Sequence, residues 1–176
     1  MKWDYEFDVV VVGSGNGALT SAICSHDGGA KTLVIEKSNQ YGGTSATSGG
    51  GVWIPNNRYA KAENVDDSDQ DARDYINSVS PEGMIKDELI ETYISEGPKM
   101  IDYLHENSQV KYRNLSHYPD YFPDNPGGKE GNRSMEPEPI KGTILGNDLG
   151  KLREQHPQTA FTMGPINMNF TQVEGQ

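Results

Sequence analysis

Glycines spaced to hold a phosphate group follow an apolar run near the amino end of the sequence. The valines at positions 9–12 predict a strand, and Gly13 permits a tight turn out of it. Gly15 lets the backbone approach a pyrophosphate without a Cβ in the way, and Ala18 stands at the third small position, which keeps helix and strand close. The helix predicted to start near Gly17 directs its N-terminal amides and positive dipole end toward the phosphates.

A carboxylate follows at the distance that a dinucleotide requires. Glu36 lies 23 residues after Gly13, at the end of a second predicted strand (about residues 32–36). From there it can accept both hydrogen bonds of an adenosine ribose diol. Glycine-rich turns are common, but here a strand precedes the turn, a helix follows it and a carboxylate has the expected spacing. The pattern predicts a dinucleotide-binding βαβ unit.

Glu36 and the loop after it indicate which dinucleotide binds. A carboxylate repels a 2′-phosphate, which leaves NAD or FAD. The loop has glycines and hydroxyls that suit phosphate oxygens and a ribityl chain, namely Gly42, Gly43, Thr44, Ser45, Ser48, Gly49, Gly50 and Gly51. Such composition is also typical of flexible surface loops, but this loop ends in the apolar run Val52 to Pro55. We therefore predict FAD as the cofactor. Besides the residues already named, we expect it to contact Ser14, Asn16, Gly17, Lys37 and Ser38.

At these residues the sequence resembles a known family. The segments GSGNGALT and EKSNQYGGTSATSGGGVWIPNN are similar to the FAD-binding domain of the fumarate reductase/succinate dehydrogenase flavoprotein superfamily. Within that superfamily the sequence most resembles the 3-ketosteroid Δ1-dehydrogenases, and the similarity continues at YPDYF (residues 118–122) and GNRS (residues 131–134). It is dense over residues 5–56 and patchy over 70–140. The resemblance implies an α/β, Rossmann-like FAD-binding domain that is incomplete in this chain.

The resemblance also implies a reaction, the removal of two hydrogens from the A ring of a 3-ketosteroid. Hydride would pass from C1 to flavin N5 and a proton from C2 to a tyrosine base. In the similar enzymes the tyrosine of the PDY segment supports that base by hydrogen bonding, and here it is Tyr121. Tyr118 and Phe122 take the aromatic pocket positions beside it, while Val52 and Trp53 border the ring and the substrate. An aromatic loop of this kind also commonly packs against its own domain, so both interpretations stay open.

Composition limits the partners. The 176 residues carry a net charge of −11 with a pI near 4.7, which argues against nucleic acid and anionic membranes. No run approaches the length of a membrane span, and no secretory signal is visible. The single Cys24 fits a reducing compartment, so we expect a cytoplasmic protein. The four histidines lack metal-ligand spacing, so we expect no metal.

Later signals are mainly helical. Residues 68–79 predict a helix with a capping box at its start. A helical stretch is predicted from Pro81, and a separate short helix from Pro98 that stops near Asn107. Residues 109–114 suggest one strand. From Ser116 onward the sequence has few apolar residues and no sustained period.

The sequence suggests three segments: an FAD-binding βαβ unit with its flavin loop (1–56), a helical segment (57–107), and substrate-side loops with an irregular tail (108–176). Two parallel strands need partners and covering helices. We therefore expect the N-terminal part or a subunit of a larger flavoenzyme, with the tyrosine base beyond Gln176.

Three functions remain open at this point. The favoured one is a steroid Δ1-dehydrogenase with a steroid-like substrate and an external electron acceptor. The alternatives are a sister branch, such as a Δ4-steroid dehydrogenase or a fumarate-type reductase, and a non-catalytic FAD-binding subunit. A fumarate-type site would cluster arginine and histidine around a dicarboxylate, whereas the arginines here are scattered along the sequence.

Overall fold

The computed structural model of the protein describes residues 3–154. Its strands and helices in chain order are β1 (Val9–Val12), α1 (Asn16–Asp27), β2 (Thr32–Ile35), β3 (Val52–Trp53), α2 (Arg58–Ala62), α3 (Asp69–Val79), α4 (Asp87–Asn107), β4 (Tyr112–Asn114) and β5 (Ser134–Pro137). Two 3₁₀ segments span Ser45–Thr47 and Gly142–Lys151. Within residues 3–154, no helix combines the length and the apolar character needed to cross a membrane.

The described residues form two compact units. Residues 3–50 and 141–154 make the first unit, and residues 51–140 make the second. These units are defined by packing and not by function. They therefore do not test the three segments suggested by the sequence, which stay a prediction.

The first unit is built on the predicted strand, helix and second strand, which are confirmed. β1 and β2 pair in parallel from Val9 opposite Thr32 to Val12 opposite Ile35, and α1 packs against both strands. Parallel strands are normally covered on both faces, yet Val12 is 78% exposed and Val10 52% exposed. The pair therefore leaves apolar surface uncovered among the described residues.

A later segment returns to the first unit, which the sequence did not indicate. Leu152 forms a parallel bridge with Tyr41. The Tyr41 amide donates to the Lys151 carbonyl and the Arg153 amide donates to the Tyr41 carbonyl, each at 2.9 Å. Within the predicted tail, Gly142–Lys151 form a 3₁₀ segment, and the bridge that follows joins Leu152 to the loop at Tyr41.

The second unit packs helices against a small antiparallel sheet of order β3-β5-β4. Val52 lies opposite Met135, and Met135 lies opposite Asn114 on the other side. One core cluster contains Ile54, Ile101, Tyr112 and Met135, and a second contains Ala72, Ile90 and Ile94. α4 contributes to both clusters and so holds the unit together.

Local capping explains two of the helices. α3 begins where the capping box predicts, since Ser68 Oγ accepts from the Asp71 amide at 3.1 Å. α2 lies at the start of the segment predicted to be helical, ahead of the helix predicted over residues 68–79. There the Asn57 side chain accepts from the amides of Tyr59 and Ala60, both at 3.0 Å, and starts a short helix.

The predicted helix boundaries around Pro81 and Pro98 are wrong. Residues 81–86 form turns, with Gly83 at φ 71°, and α4 starts at Asp87. α4 then runs through Pro98 without a break. Proline removes one helical hydrogen bond, but the buried stripe continues in register on either side of it through Ile94 and Ile101. Tertiary burial of that stripe outweighs the local cost.

A continuous α4 predicts that Pro98→Ala stabilises the protein. The change restores a hydrogen-bonding amide inside the helix and relieves the steric clash of the proline ring. It also gives the unfolded chain more conformational freedom, which lowers stability by a smaller amount. We expect a gain of about 1–2 kcal/mol in the free energy of unfolding, measured by chemical denaturation of the native protein with circular dichroism. Lys99→Ala, at an exposed pair with Glu96, is the control and should change stability by less than about 0.5 kcal/mol. A loss of stability in Pro98→Ala would contradict the continuous helix.

Candidate functional site

The buried Ser14 hydroxyl connects three parts of the first unit. Ser14 Oγ donates to Glu36 Oε2 at 2.5 Å and accepts from the Gly42 amide at 2.9 Å. The Ser38 amide donates to the other carboxylate oxygen of Glu36 at 3.0 Å. The glycine turn, the end of β2 and the following loop are therefore held in one arrangement.

Glu36 is ionised at neutral pH in this arrangement. The hydrogen bond from Ser14, followed by that from the Ser38 amide, lowers the pKa of the Glu36 carboxyl below its ordinary value. An ionised carboxylate accepts hydrogen bonds only and has lone pairs to spare after these two. It can accept from a diol, and its charge disfavours a phosphate at the same place.

Most of the predicted cofactor contacts line one groove of about 730 Å³ in the first unit. The predicted residues along it are Gly13, Ser14, Gly15, Asn16, Gly17, Ala18, Glu36, Lys37, Ser38, Gly43, Thr44 and Ser45. The structure does not place the other five along this groove. Gly42 is buried, Gly51 lines a groove of the second unit, and Ser48, Gly49 and Gly50 line neither groove.

The amino end of α1 offers free donors to this groove. The Asn16 amide donates to Ser45 Oγ at 3.0 Å, and the N-cap Gly15 supplies no side-chain acceptor. Among residues 3–154, the amides of Gly17 and Ala18 have no hydrogen-bond acceptor. Unpaired first-turn amides with the positive helix dipole behind them suit an anionic oxygen.

Close backbone packing keeps side chains out of the same place. Gly13 has φ +97°, a conformation that favours glycine. A Cβ on Gly43 would lie 3.3 Å from the Gly15 Cα, so the turn and the following loop approach each other closely. The groove thus combines free amides, backbone without side chains and an ionised carboxylate, which fits the pyrophosphate and ribose of a dinucleotide.

Arg153 is a groove residue that the sequence reasoning missed. It lines the first groove, as Glu36 and Thr44 do. Its guanidinium has no ion-pair partner within residues 3–154. Its position follows from the bridge between Leu152 and Tyr41, which no local motif signals. The arginine adds a second cationic side chain to a groove that Lys37 also lines.

The second unit has its own groove of about 410 Å³. All four predicted substrate-side residues, Val52, Tyr118, Tyr121 and Phe122, line it together with Trp53. Its other walls are mostly apolar and include Ile76, Val79, Leu115 and Met135. The residues expected around a hydrophobic substrate are therefore brought together in one place.

Tyr118 and Tyr121, two of the three tyrosines that line this groove, differ in environment. Tyr121 is 82% exposed. Burial raises the pKa of the Tyr118 phenol above its ordinary value, and the hydrogen bond and charge of Tyr121 raise it further. Tyr118 therefore stays protonated at neutral pH and can donate a hydrogen bond, but it is a poor base.

Comparison with known proteins agrees with these features. The family described as "FAD binding domain" matches residues 8–171. The chain is 38% identical over 168 residues to the 3-oxosteroid 1-dehydrogenase of Mycolicibacterium smegmatis, covering 96% of this chain and 29% of that protein. It is 37% identical over 157 residues to the 4-oxocyclohexanecarboxylate 2-dehydrogenase of Sinomonas cyclohexanicum, covering 89% of this chain and 27% of that protein.

A solved structure gives the same result. The 3-ketosteroid delta1-dehydrogenase from Sterolibacterium denitrificans, in complex with 1,4-androstadiene-3,17-dione, matches with a TM-score of 0.83 and 39% identity, over 96% of this chain and 29% of that one. This chain thus spans less than a third of the length of these relatives.

The predictions of an α/β FAD-binding fold and of FAD as the cofactor are confirmed. The chain belongs to the FAD-binding domain family, and its predicted resemblance to the 3-oxosteroid 1-dehydrogenases is confirmed as well.

Proposed function

We propose that this chain holds FAD in its first groove as part of an enzyme that introduces a 1,2-double bond into the A ring of a 3-ketosteroid. The observation that carries the proposal is the apolar groove in which Val52, Trp53, Tyr118 and Tyr121 meet. The similarity to 3-oxosteroid 1-dehydrogenases supports it.

The first groove suggests how its residues hold the cofactor. The free amides of Gly17 and Ala18 hydrogen-bond the pyrophosphate oxygens, and Glu36 accepts from the adenosine ribose hydroxyls. Thr44 supplies a hydroxyl along the same groove, and Arg153 supplies a counter-charge.

The residues of the second groove orient the substrate and handle its proton. Bound FAD supplies the acceptor for the hydride that leaves C1. The Tyr121 phenol hydrogen-bonds the tyrosine base that takes the C2 proton, and the neutral Tyr118 phenol donates a hydrogen bond within the same groove. The base and the groups that polarise the ketone are expected beyond Gln176. We also propose that an external acceptor reoxidises the flavin. We further propose that the protein is cytoplasmic.

The charge of the second groove favours a steroid over smaller acidic ketones. Among its described lining residues, Asp120 is the one ionisable acid, and no lysine, arginine or histidine is present. A substrate such as a 4-oxocyclohexanecarboxylate, or the dicarboxylate of a fumarate-type reductase, requires a cationic partner for its carboxylate. An uncharged steroid buries its apolar rings against Trp53 and Val79 without such a penalty.

The absence of a cation among the described lining residues of the second groove predicts which ketone reduces the bound flavin. In the native protein, together with any polypeptide that accompanies it, anaerobic 4-androstene-3,17-dione should bleach the oxidised flavin absorbance. 4-Oxocyclohexanecarboxylate should do so at least about a hundredfold more slowly, because its carboxylate would enter a groove without a cation. The measurement is stopped-flow absorbance under anaerobic conditions. Faster bleaching by the carboxylate would favour a substrate like that in the name of the Sinomonas cyclohexanicum relative. No bleaching by any 3-ketosteroid would remove the proposed function.

The cofactor placement predicts a role for Arg153. Arg153→Gln should weaken FAD binding about tenfold or more, since a charge-assisted contact to phosphate is lost. The affinity for ADP should fall similarly and that for adenosine should not, because only the first carries the pyrophosphate. Flavin fluorescence quenching and calorimetric titration of the flavin-stripped protein measure these affinities.

A matched control lies two residues away. Lys151→Gln removes the same charge from a side chain that pairs with Asp148 at 2.8 Å and does not line the groove. It should leave FAD affinity within about twofold, as expected for an exposed ion pair. Equal losses in both variants would mean that Arg153 acts only through net charge.

A further inference from the structure

A buried ion cluster lies beside the second groove. The Arg133 side chain is 1% exposed, and its partners Asp67 and Asp120 are 4% and 2% exposed. Arg133 Nη2 donates to Asp67 Oδ1 at 2.6 Å, and Nη1 donates to Asp120 Oδ2 at 2.9 Å. Two carboxylates thus share one guanidinium away from solvent.

Asp120 joins this cluster to Trp53 and to the loop that carries Tyr121 and Phe122. Its Oδ1 accepts from the Trp53 indole Nε1 at 2.6 Å. Its Oδ2 also accepts from the Lys129 amide at 3.0 Å, while the Asp120 amide donates to the Lys129 carbonyl at 2.9 Å. The loop of residues 120–129 is therefore closed at its base by reciprocal hydrogen bonds, and that base is tied to Trp53 and Arg133.

The aromatic side of the groove is held by the same cluster. The Arg133 guanidinium lies 5.4 Å from the centre of the Trp53 ring and 5.8 Å from that of Tyr75. Tyr93 Oη donates to the Trp53 carbonyl at 2.5 Å. Trp53 is thus fixed through its ring, its indole nitrogen and its backbone.

Tyr121 lies between two anchored residues. Asp120 precedes it, and the amide of Phe122 after it donates to Tyr75 Oη at 3.3 Å. The Tyr121 side chain itself is largely exposed. Its direction therefore depends on the backbone that these neighbours fix.

We propose that Arg133, Asp67 and Asp120 are positioning residues, which lock the loop of residues 120–129 against Trp53 and so set where the Tyr121 phenol lies in the groove. A buried ion pair adds little net stability compared with apolar side chains of equal volume, and its best-attested use is to specify one arrangement. This inference deepens the proposed function and rests on it for the role of Tyr121.

Amide hydrogen exchange in the native protein tests the anchoring directly. Arg133→Lys keeps the charge but loses the planar, forked contacts. Asp67→Asn is a milder change that keeps the shape of a residue outside the groove lining. Both variants should speed exchange of residues 120–129 about tenfold, as expected when a local opening becomes easier.

The chain offers a matched control for this substitution. Arg73 makes a forked ion pair with Glu91 between α3 and α4 of the same unit. Its Nε and Nη2 lie 2.5 and 2.6 Å from the Glu91 carboxylate oxygens. Arg73→Lys removes a forked contact of the same kind at a partly exposed position that does not line the groove. It should leave exchange of residues 120–129 unchanged. Unchanged exchange in both Arg133→Lys and Asp67→Asn would overturn the inference.

A double-mutant cycle separates positioning from general support of the fold. With Tyr121 present, Asp67→Asn should lower kcat for 4-androstene-3,17-dione about fivefold. In the Tyr121→Phe background, the same substitution should lower kcat less than about twofold. Equal losses in both backgrounds would show that the cluster does not act through Tyr121 and would overturn the inference. If no 3-ketosteroid is oxidised, the proposed function fails, and the exchange measurement alone decides whether the cluster anchors this loop.

Discussion

The arrangement of the first groove depends on one buried hydroxyl. A serine hydroxyl has one hydrogen to donate and lone pairs to accept with, and Ser14 uses both. It donates to Glu36 and accepts from the Gly42 amide, residues that lie 22 and 28 positions further along the chain. Since the same donation lowers the pKa of Glu36, one contact fixes the shape of the groove and also the charge of its carboxylate.

The second unit follows the same principle with charged groups. Its groove lies between β3 and an irregular loop, and regular secondary structure alone does not fix such a loop. Asp120 provides the missing constraint, because it binds Trp53 from one wall, Lys129 from the base of the loop and Arg133 from the core. In both units a buried polar side chain with every oxygen in use holds loops that carry the proposed binding residues.

The sequence predicted the elements whose signals are local. β1, α1 and β2 follow from an apolar run, a glycine turn and a helix of small residues, and α3 follows from the Ser68 cap. Elements that depend on distant partners were missed. β5 has one fully buried apolar residue, Met135, and is a strand because β3 and β4 pair with it on both sides. Arg153 has no motif of its own and reaches the first groove only through the Tyr41 bridge.

The crystal structure of the native protein with its cofactor tests the central claim most directly. We expect FAD in the first groove, with pyrophosphate oxygens at hydrogen-bond distance from the Gly17 and Ala18 amides and the adenosine ribose hydroxyls at hydrogen-bond distance from Glu36. A nicotinamide cofactor there, or FAD bound elsewhere with this groove filled by protein side chains, would contradict it.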